Sequence, residues 1–178
     1  MRIIAGKYKH RLINYPENNK DIRPTKDRVR EAIFSALGDI SGKTVVDLYA
    51  GSGAMGIEAL SRNASYAIFN DISKLSIDVV KANLSSLGID NAIYKISYAE
   101  DFNLLNSLDK KYDIYFIDPP YKKGQYEKLI NVILEKDIVS DNGILVIEYD
   151  TEFSFDESKF RNVKSYKYGD IMVKILWK

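Results

Sequence analysis

The sequence predicts an α/β fold: a mostly parallel, seven-stranded sheet wrapped by helices, closed by an antiparallel C-terminal hairpin and preceded by a small hairpin-and-helix extension. Three observations carry that prediction. From Thr44 onward, short β-branched or aromatic runs alternate with apolar stripes at helical spacing, the pattern of repeated strand–helix units. The first of these runs, Thr44-Val45-Val46, passes through Asp47 into Gly51-Ser52-Gly53 and a helix with Gly56 in its first turn. At the other end, two β-prone runs flank Gly169-Asp170, a two-residue hairpin turn.

In chain order, Arg2-Ile3-Ile4 and Arg11-Leu12-Ile13 around Gly6 read as a hairpin carrying Lys7, Lys9, His10 and Arg11 near its turn. After a polar loop, Pro24-Thr25 starts a helix with Thr25 as N-cap and Asp27 in its first turn, where the helix dipole favours an anion. Val29, Ile33, Ala36 and Leu37 form its stripe, Arg28 and Arg30 point elsewhere, and Gly38 ends it. The first strand leads to a helix from Ala54 to Arg62. Tyr66 to Phe69 is the second strand, ending at Asn70-Asp71, and Ser73 caps a helix with the stripe Ile77, Val80, Leu84 and Leu87. Ala92 to Ser97 is a third strand, followed by a short helix around Phe102 to Leu108. The fourth strand, Tyr112 to Ile117, ends in Asp118-Pro119-Pro120-Tyr121, and Tyr126, Leu129, Ile130 and Ile133 mark the next helix. Gly143 to Glu148 is aliphatic enough to be buried on both faces. Val163–Tyr168 and Ile171–Trp177 complete the sheet. The expected organisation is an N-terminal extension over 1–40 and a main domain over 41–178.

Composition narrows the chemistry. The chain of 178 residues has no cysteine and one histidine, His10, so disulfides and thiolate metal sites are excluded and no metal is expected. No apolar run approaches the roughly 18 residues of a membrane span, and the N-terminus lacks a signal-peptide core, which makes a cytoplasmic protein the expectation; a monomer is expected as well. The net charge of +1 conceals an asymmetry: residues 1–30 carry nine Lys or Arg against three acids, about +6, and the remainder is about −5. A basic head on a mildly acidic body suits a polyanionic partner.

Parallel strands place their carboxyl ends on one rim of the sheet, where ligands bind. Asp47, Gly51-Ser52-Gly53, Asp71 and Asp118-Pro119-Pro120-Tyr121 all fall at such ends. Asp71 follows Gly51 by twenty positions, where an acid typically holds two ribose hydroxyls. A glycine turn with a ribose-binding acid fits a dinucleotide or S-adenosylmethionine, and Gly51-x-Gly53-x-x-Gly56 satisfies the dinucleotide spacing literally. Asp47, however, would repel a pyrophosphate, whereas it can order the loop or hold the ammonium of a methionine moiety through water. Asp118-Pro119-Pro120-Tyr121 has no use in a dehydrogenase. Its prolines leave carbonyls free to accept hydrogen bonds, so that with Asp118 they can hold an exocyclic amino group. Tyr121 offers a flat face to a base drawn from its stack.

Arg2-Ile3-Ile4-Ala5-Gly6, the signature from Arg23-Pro24-Thr25 through Asp27-Arg28-Val29-Arg30-Glu31-Ala32, Asp47-Leu48-Tyr49-Ala50-Gly51-Ser52-Gly53 and Asp118-Pro119-Pro120-Tyr121 occur in this order. Together they resemble the RsmD-type methyltransferases, which modify the N2 amino group of a guanine in 16S ribosomal RNA, and the resemblance covers nearly the whole chain. It implies a Rossmann-like class I S-adenosylmethionine-dependent methyltransferase fold. Asp118, Pro119, Pro120 and Tyr121 would be catalytic, and Asp47, Tyr49, Gly51, Ser52, Gly53, Asp71, Ile72, Tyr98 and Ala99 would meet the cofactor. Arg2, Lys7, Lys9, Arg11, Arg23, Thr25, Arg28 and Arg30 would engage the RNA of the small ribosomal subunit. The chain departs from the family in three places. Asp71 stands where Glu is common, in Ser97-Tyr98-Ala99-Glu100-Asp101 the acid expected near the adenine is missing or displaced, and Lys9-His10-Arg11 replaces a glycine and arginine. An amino-methylase acting on adenine N6 in DNA or on another RNA, and a non-catalytic RNA-binding protein of the same fold, are the alternative readings. For the arginines of the head, pairing with acids such as Glu31 or Asp39 is the structural alternative.

Overall fold

The computed structural model describes residues 1–16, 27–120, 125–169 and 171–178. Seven strands form one sheet: β1 (Thr44–Asp47), β2 (Tyr66–Asp71), β3 (Tyr94–Tyr98), β4 (Tyr112–Ile117), β5 (Val139–Tyr149), β6 (Asn162–Tyr168) and β7 (Ile171–Trp177). Their spatial order is β3-β2-β1-β4-β5-β7-β6. The first five are mutually parallel, and β7 runs antiparallel between β5 and β6. Strand order reverses at β1, flanked by β2 and β4, which opens a crevice beyond the carboxyl ends of β1 and β4.

Among the described residues, five helices cover the sheet: α1 (Asp27–Leu37), α2 (Ala54–Ser61), α3 (Lys74–Ser86), α4 (Asp101–Ser107) and α5 (Tyr126–Glu135). Side chains alternate along each strand, so the aliphatic strands supply two cores. On one face Val45, Phe69, Phe116, Val146 and Val173 meet Ile33 and Phe34 of α1, Ile57 of α2 and Val80 and Leu84 of α3. On the other, Val46, Ile68, Tyr115, Ile117 and Ile147 meet Leu104 and Leu105 of α4 and Leu129, Ile130 and Ile133 of α5. Ser73 caps α3 as expected, its hydroxyl accepting from Ser76 N.

Three expectations shift. β5 begins at Val139 instead of Gly143, because Val139 pairs with Tyr112 ahead of a register irregularity that separates this start from the main ladder. The third strand begins at Tyr94, because the Asp90 carboxylate accepts from Ala92 N and winds Asn91–Ile93 into a turn of 3-10 helix. The N-terminal hairpin is reduced to one antiparallel bridge, Arg2 with Leu12. Its two arms still bond each other, Ile3 N to Arg11 O and Ile13 N to Met1 O at 2.9 Å each, but the donors nearer the turn go to α2: Ile4 N and Ala5 N bond the Glu58 carboxylate at 2.8 and 3.0 Å, and Lys7 N bonds Ser61 O at 2.7 Å. Gly6, at φ +81°, makes this approach possible, since a Cβ there would lie 1.7 Å from Ser61 O. Ile3, Tyr8 and Ile13 are buried in the same core as α1 and α2.

Candidate active site

The turn between β1 and α2 is shaped by backbone sterics and by two carboxylates. Gly53 caps α2 in a left-handed conformation, φ +80°, and a Cβ on Gly56 would approach Phe69 to 2.3 Å. Gly56 therefore lets α2 lie close on β2, and Gly51 faces open space. Asp47, 3% exposed, accepts from Gly56 N at 2.9 Å and so ties the end of β1 to the first turn of α2. Asp71 accepts from Gly51 N at 2.9 Å and from Ser73 N at 2.7 Å, linking the glycine turn to the start of α3. Each of its oxygens keeps a second lone pair for a ligand hydroxyl.

Asn70 spans the same rim: its amide donates to Leu48 O and Ala99 O, both at 3.1 Å, while its buried side-chain oxygen has no hydrogen-bond partner. The Tyr49 hydroxyl donates to Asp101, whose other oxygen accepts from Phe102 N. Asp101 is thereby used to hold the β1 and β3 loops together. Ile72 and Tyr98 are each 63% exposed on that side of the rim, an apolar edge beside Asp71.

On the other side of β1, a cleft of about 650 Å³, its open mouth included, is lined by Asp47, Tyr49, Ser52, Met55, Asp118 and Glu148 together with Met1 and Ile33 from the N-terminal segment. Burial pushes the Asp47 carboxyl up to about 7, partly opposed by its Gly56 hydrogen bond and reinforced by the charge of Asp71. Asp118 is solvent-exposed at the mouth, yet the concave walls replace much of its surrounding water. Its carboxyl is held well above the usual carboxylate range by that desolvation, then by the charges of Glu148 and Asp47. Glu148, at the end of β5, is an ionisable site residue that sequence reasoning missed. The rule that placed Asp118 on the rim places it there too, since Ile117 pairs with Ile147. Pro119 is buried and Pro120 exposed, while Tyr121 lies outside the described residues, as do Arg23 and Thr25.

Among the residues expected to meet RNA, Arg2, Lys7, Lys9, Arg11 and Arg28 are exposed. Arg30 does not point away from the core: it is 1% exposed, pairs with Asp27 at 3.1 Å and Glu58 at 3.9 Å, and donates to Arg2 O. Arg2 also pairs with Asp27. The acids that hold these arginines are thus Asp27 and Glu58, not Glu31 or Asp39. A second link joins the N-terminal segment to the glycine turn: the buried Asn83 amide exchanges hydrogen bonds of 2.8 and 2.9 Å with the Asn14 backbone and donates to Ser52 O at 2.9 Å.

The family described as conserved hypothetical protein 95 matches residues 1–177. A protein named ribosomal RNA small subunit methyltransferase D from Buchnera aphidicola is 36% identical over 154 residues, 85% of this chain and 79% of its own length. The protein of that name from Escherichia coli K12 is 34% identical over 153 residues, 85% of this chain and 76% of its own. Among solved structures, one from Escherichia coli, named as a candidate methyltransferase yhhF, superposes with a TM-score of 0.86 at 27% identity, covering 100% of this chain and 97% of its own.

Proposed function

The chain belongs to the conserved hypothetical protein 95 family, and from that premise we propose that it transfers a methyl group from S-adenosylmethionine to the exocyclic N2 of a guanine in 16S ribosomal RNA. The observation that carries this reading is the convergence of Asp47, Asp118 and the glycine turn on one cleft that Met1 and Ile33 of the N-terminal segment also line. Two crowded carboxyls with raised proton affinity disfavour a pyrophosphate and favour a ligand bearing positive charge. S-adenosylmethionine carries an ammonium and a sulfonium, and supplies an electrophilic methyl. Asp47 and the glycine turn would hold its methionine end, Asp71 its ribose, and Ile72, Tyr98 and Ala99 its adenine.

An amino group conjugated to a base ring is a poor nucleophile. Asp118 and the carbonyls beside Pro119 and Pro120 accept its N–H bonds, which favours a more pyramidal nitrogen and fixes its lone pair in one direction. Alkylation makes that nitrogen strongly acidic, and Asp118, with its raised proton affinity, receives the proton. Tyr121 stacks on the base. The extension over 1–40 engages the RNA through Lys7, Lys9 and Arg11, with Arg2, Arg23, Thr25 and Arg28 beside them. Arg30 supports that surface from beneath instead of touching phosphate.

The test is incubation of small-subunit RNA, naked and in subunits, with tritiated S-adenosylmethionine, followed by identification of the labelled nucleoside. N2-methylguanosine is expected. Label on adenine N6, or none on any RNA, overturns the assignment. Asp118→Ala should abolish transfer in a folded protein, and Tyr121→Ala should be severe where Tyr121→Phe is mild. Equal loss in both tyrosine variants would assign the role to the hydroxyl.

A further inference from the structure

The sheet register continues the cleft floor beyond the residues assigned above. Asp118 follows Ile117, which pairs with Ile147, so Asp118 lies beside Glu148; Glu148 pairs with Val173, and Val173 with Tyr166. Glu148, Val173 and Tyr166 thus form one row across β5, β7 and β6, and residues opposite one another in a ladder share a face. At about 4.8 Å per strand, Tyr166 stands roughly 10 Å from the Glu148 position. Val173 itself lines the cleft, so the row leads directly out of it.

Tyr168, two residues on and on the same face, stands at the rim where the hairpin of β6 and β7 turns. Its ring stacks on Tyr166 at 6.0 Å between centroids and 9° between planes. Both rings are half-buried, with one side on the core that holds α1 and α2 and the remainder open. Behind them on that face Lys164 lies over the Trp177 ring, 5.8 Å from its centroid. The charge of the strand is one-sided: residues 159–168 contain Lys159, Arg161, Lys164 and Lys167 and no acid. Lysines on an edge strand discourage pairing with another sheet, and that role accounts for the charge. It does not account for two parallel rings left half open in line with the cleft.

We propose that this shelf is a second RNA-binding surface, on which unpaired nucleotides next to the target base stack against Tyr166 and Tyr168 while Lys164, on the same face of β6, meets their phosphates. Stacking on flat rings beside a cationic edge is the chemistry that holds single strands. A double helix offers no free base faces and gains nothing from the rings. The proposal rests on the methyltransferase reading, because the cleft defines which nucleotide is the target, but binding is measurable without turnover.

The probe is a fluorescein-labelled, ten-nucleotide single-stranded RNA of mixed sequence, titrated by anisotropy against the full chain, with the blunt duplex it forms with its complement for comparison. Tyr166→Leu with Tyr168→Leu keeps apolar packing and removes the rings. Affinity for the single strand should fall about tenfold or more, as expected when base stacking is removed, and affinity for the duplex should stay within twofold. Tyr166→Phe with Tyr168→Phe should bind like the wild type, which also answers the objection that a leucine variant is misfolded. Unchanged single-strand binding in the leucine variant overturns the proposal. So does self-association of the wild-type chain that is abolished by the leucine pair, which would make the shelf a protein interface. Absence of methyl transfer by the wild type would instead remove the function proposed above and leave the binding result readable.

Discussion

Asp47 accepts one backbone N–H and is otherwise enclosed, so its ionised form is disfavoured until a cation arrives. The sign follows from the shift. An acid whose folded pKa is raised from 3.8 to about 7 contributes stability below the lower value and loses it as pH rises through the upper. Asp47→Asn keeps an acceptor for Gly56 N and removes the titration. It should raise the melting temperature at pH 8, by the equivalent of roughly 2–4 kcal/mol, and change little at pH 4. The same substitution should weaken S-adenosylmethionine binding, and affinity in the wild type should climb between pH 6 and 8 as Asp47 ionises. Melting curves and calorimetry at these pH values check both, and a pH-independent gain would show that Asp47 is already charged. Asp47, Asp71 and Asp118 were legible in the sequence because each follows a strand that could be recognised. The role of Asp101 was not: its neighbour Glu100 offered an equal carboxylate, and only the meeting with the Tyr49 hydroxyl separates them.

At the level of elements, α2 is the joint of the molecule. Its N-terminus receives the glycine turn, and its outer half receives the N-terminal extension through Glu58, fully buried and bonded to Ile4 N, Ala5 N and the Arg62 guanidinium at 2.8 Å. Glu58 also faces Arg30 of α1. Removing one partner of a buried charge cluster leaves the others uncompensated, which typically costs about 3–5 kcal/mol. For a chain of this length Glu58→Ala should therefore lower the melting temperature by roughly 6–20 °C. Amide exchange should show Ile4, Ala5 and Lys7 losing protection before β1 or β4 does; uniform loss across the sheet would mean that the extension and the sheet unfold as one. The strands and helices were readable from periodicity, but this joint was not. Glu58 sits in an ordinary helical run, and its backbone partners Ile4 and Ala5 lie more than fifty residues away, in a segment whose own pattern suggested a hairpin satisfied by itself.

Over the whole molecule, the near-neutral net charge hides a division of labour among the nine cations of residues 1–30. Arg30 is withdrawn into the core, and Arg2 is held by Asp27. Lys7, Lys9 and Arg11 stand exposed at the turn of the extension, with Arg11 anchored by a 3.0 Å hydrogen bond to Ser86 O that leaves most of its guanidinium outside. Charges arranged in this way attract a polyanion without stiffening the fold, and each phosphate they neutralise on a single strand releases counterions. The slope of log affinity against log salt should thus flatten by roughly 0.7 for every phosphate no longer neutralised, about 2 for Lys7→Ala, Lys9→Ala and Arg11→Ala together. Arg30→Met should act differently, lowering stability and leaving the slope alone, because its charge never reaches solvent. S-adenosylmethionine affinity should be untouched by the triple substitution, since the turn and Asp71 belong to the sheet rim. Binding isotherms across a salt series separate the cases. An unchanged slope in the triple variant would make the extension a structural cap on α2, and a flattened slope in Arg30→Met would mean that its ion pairs open when RNA binds.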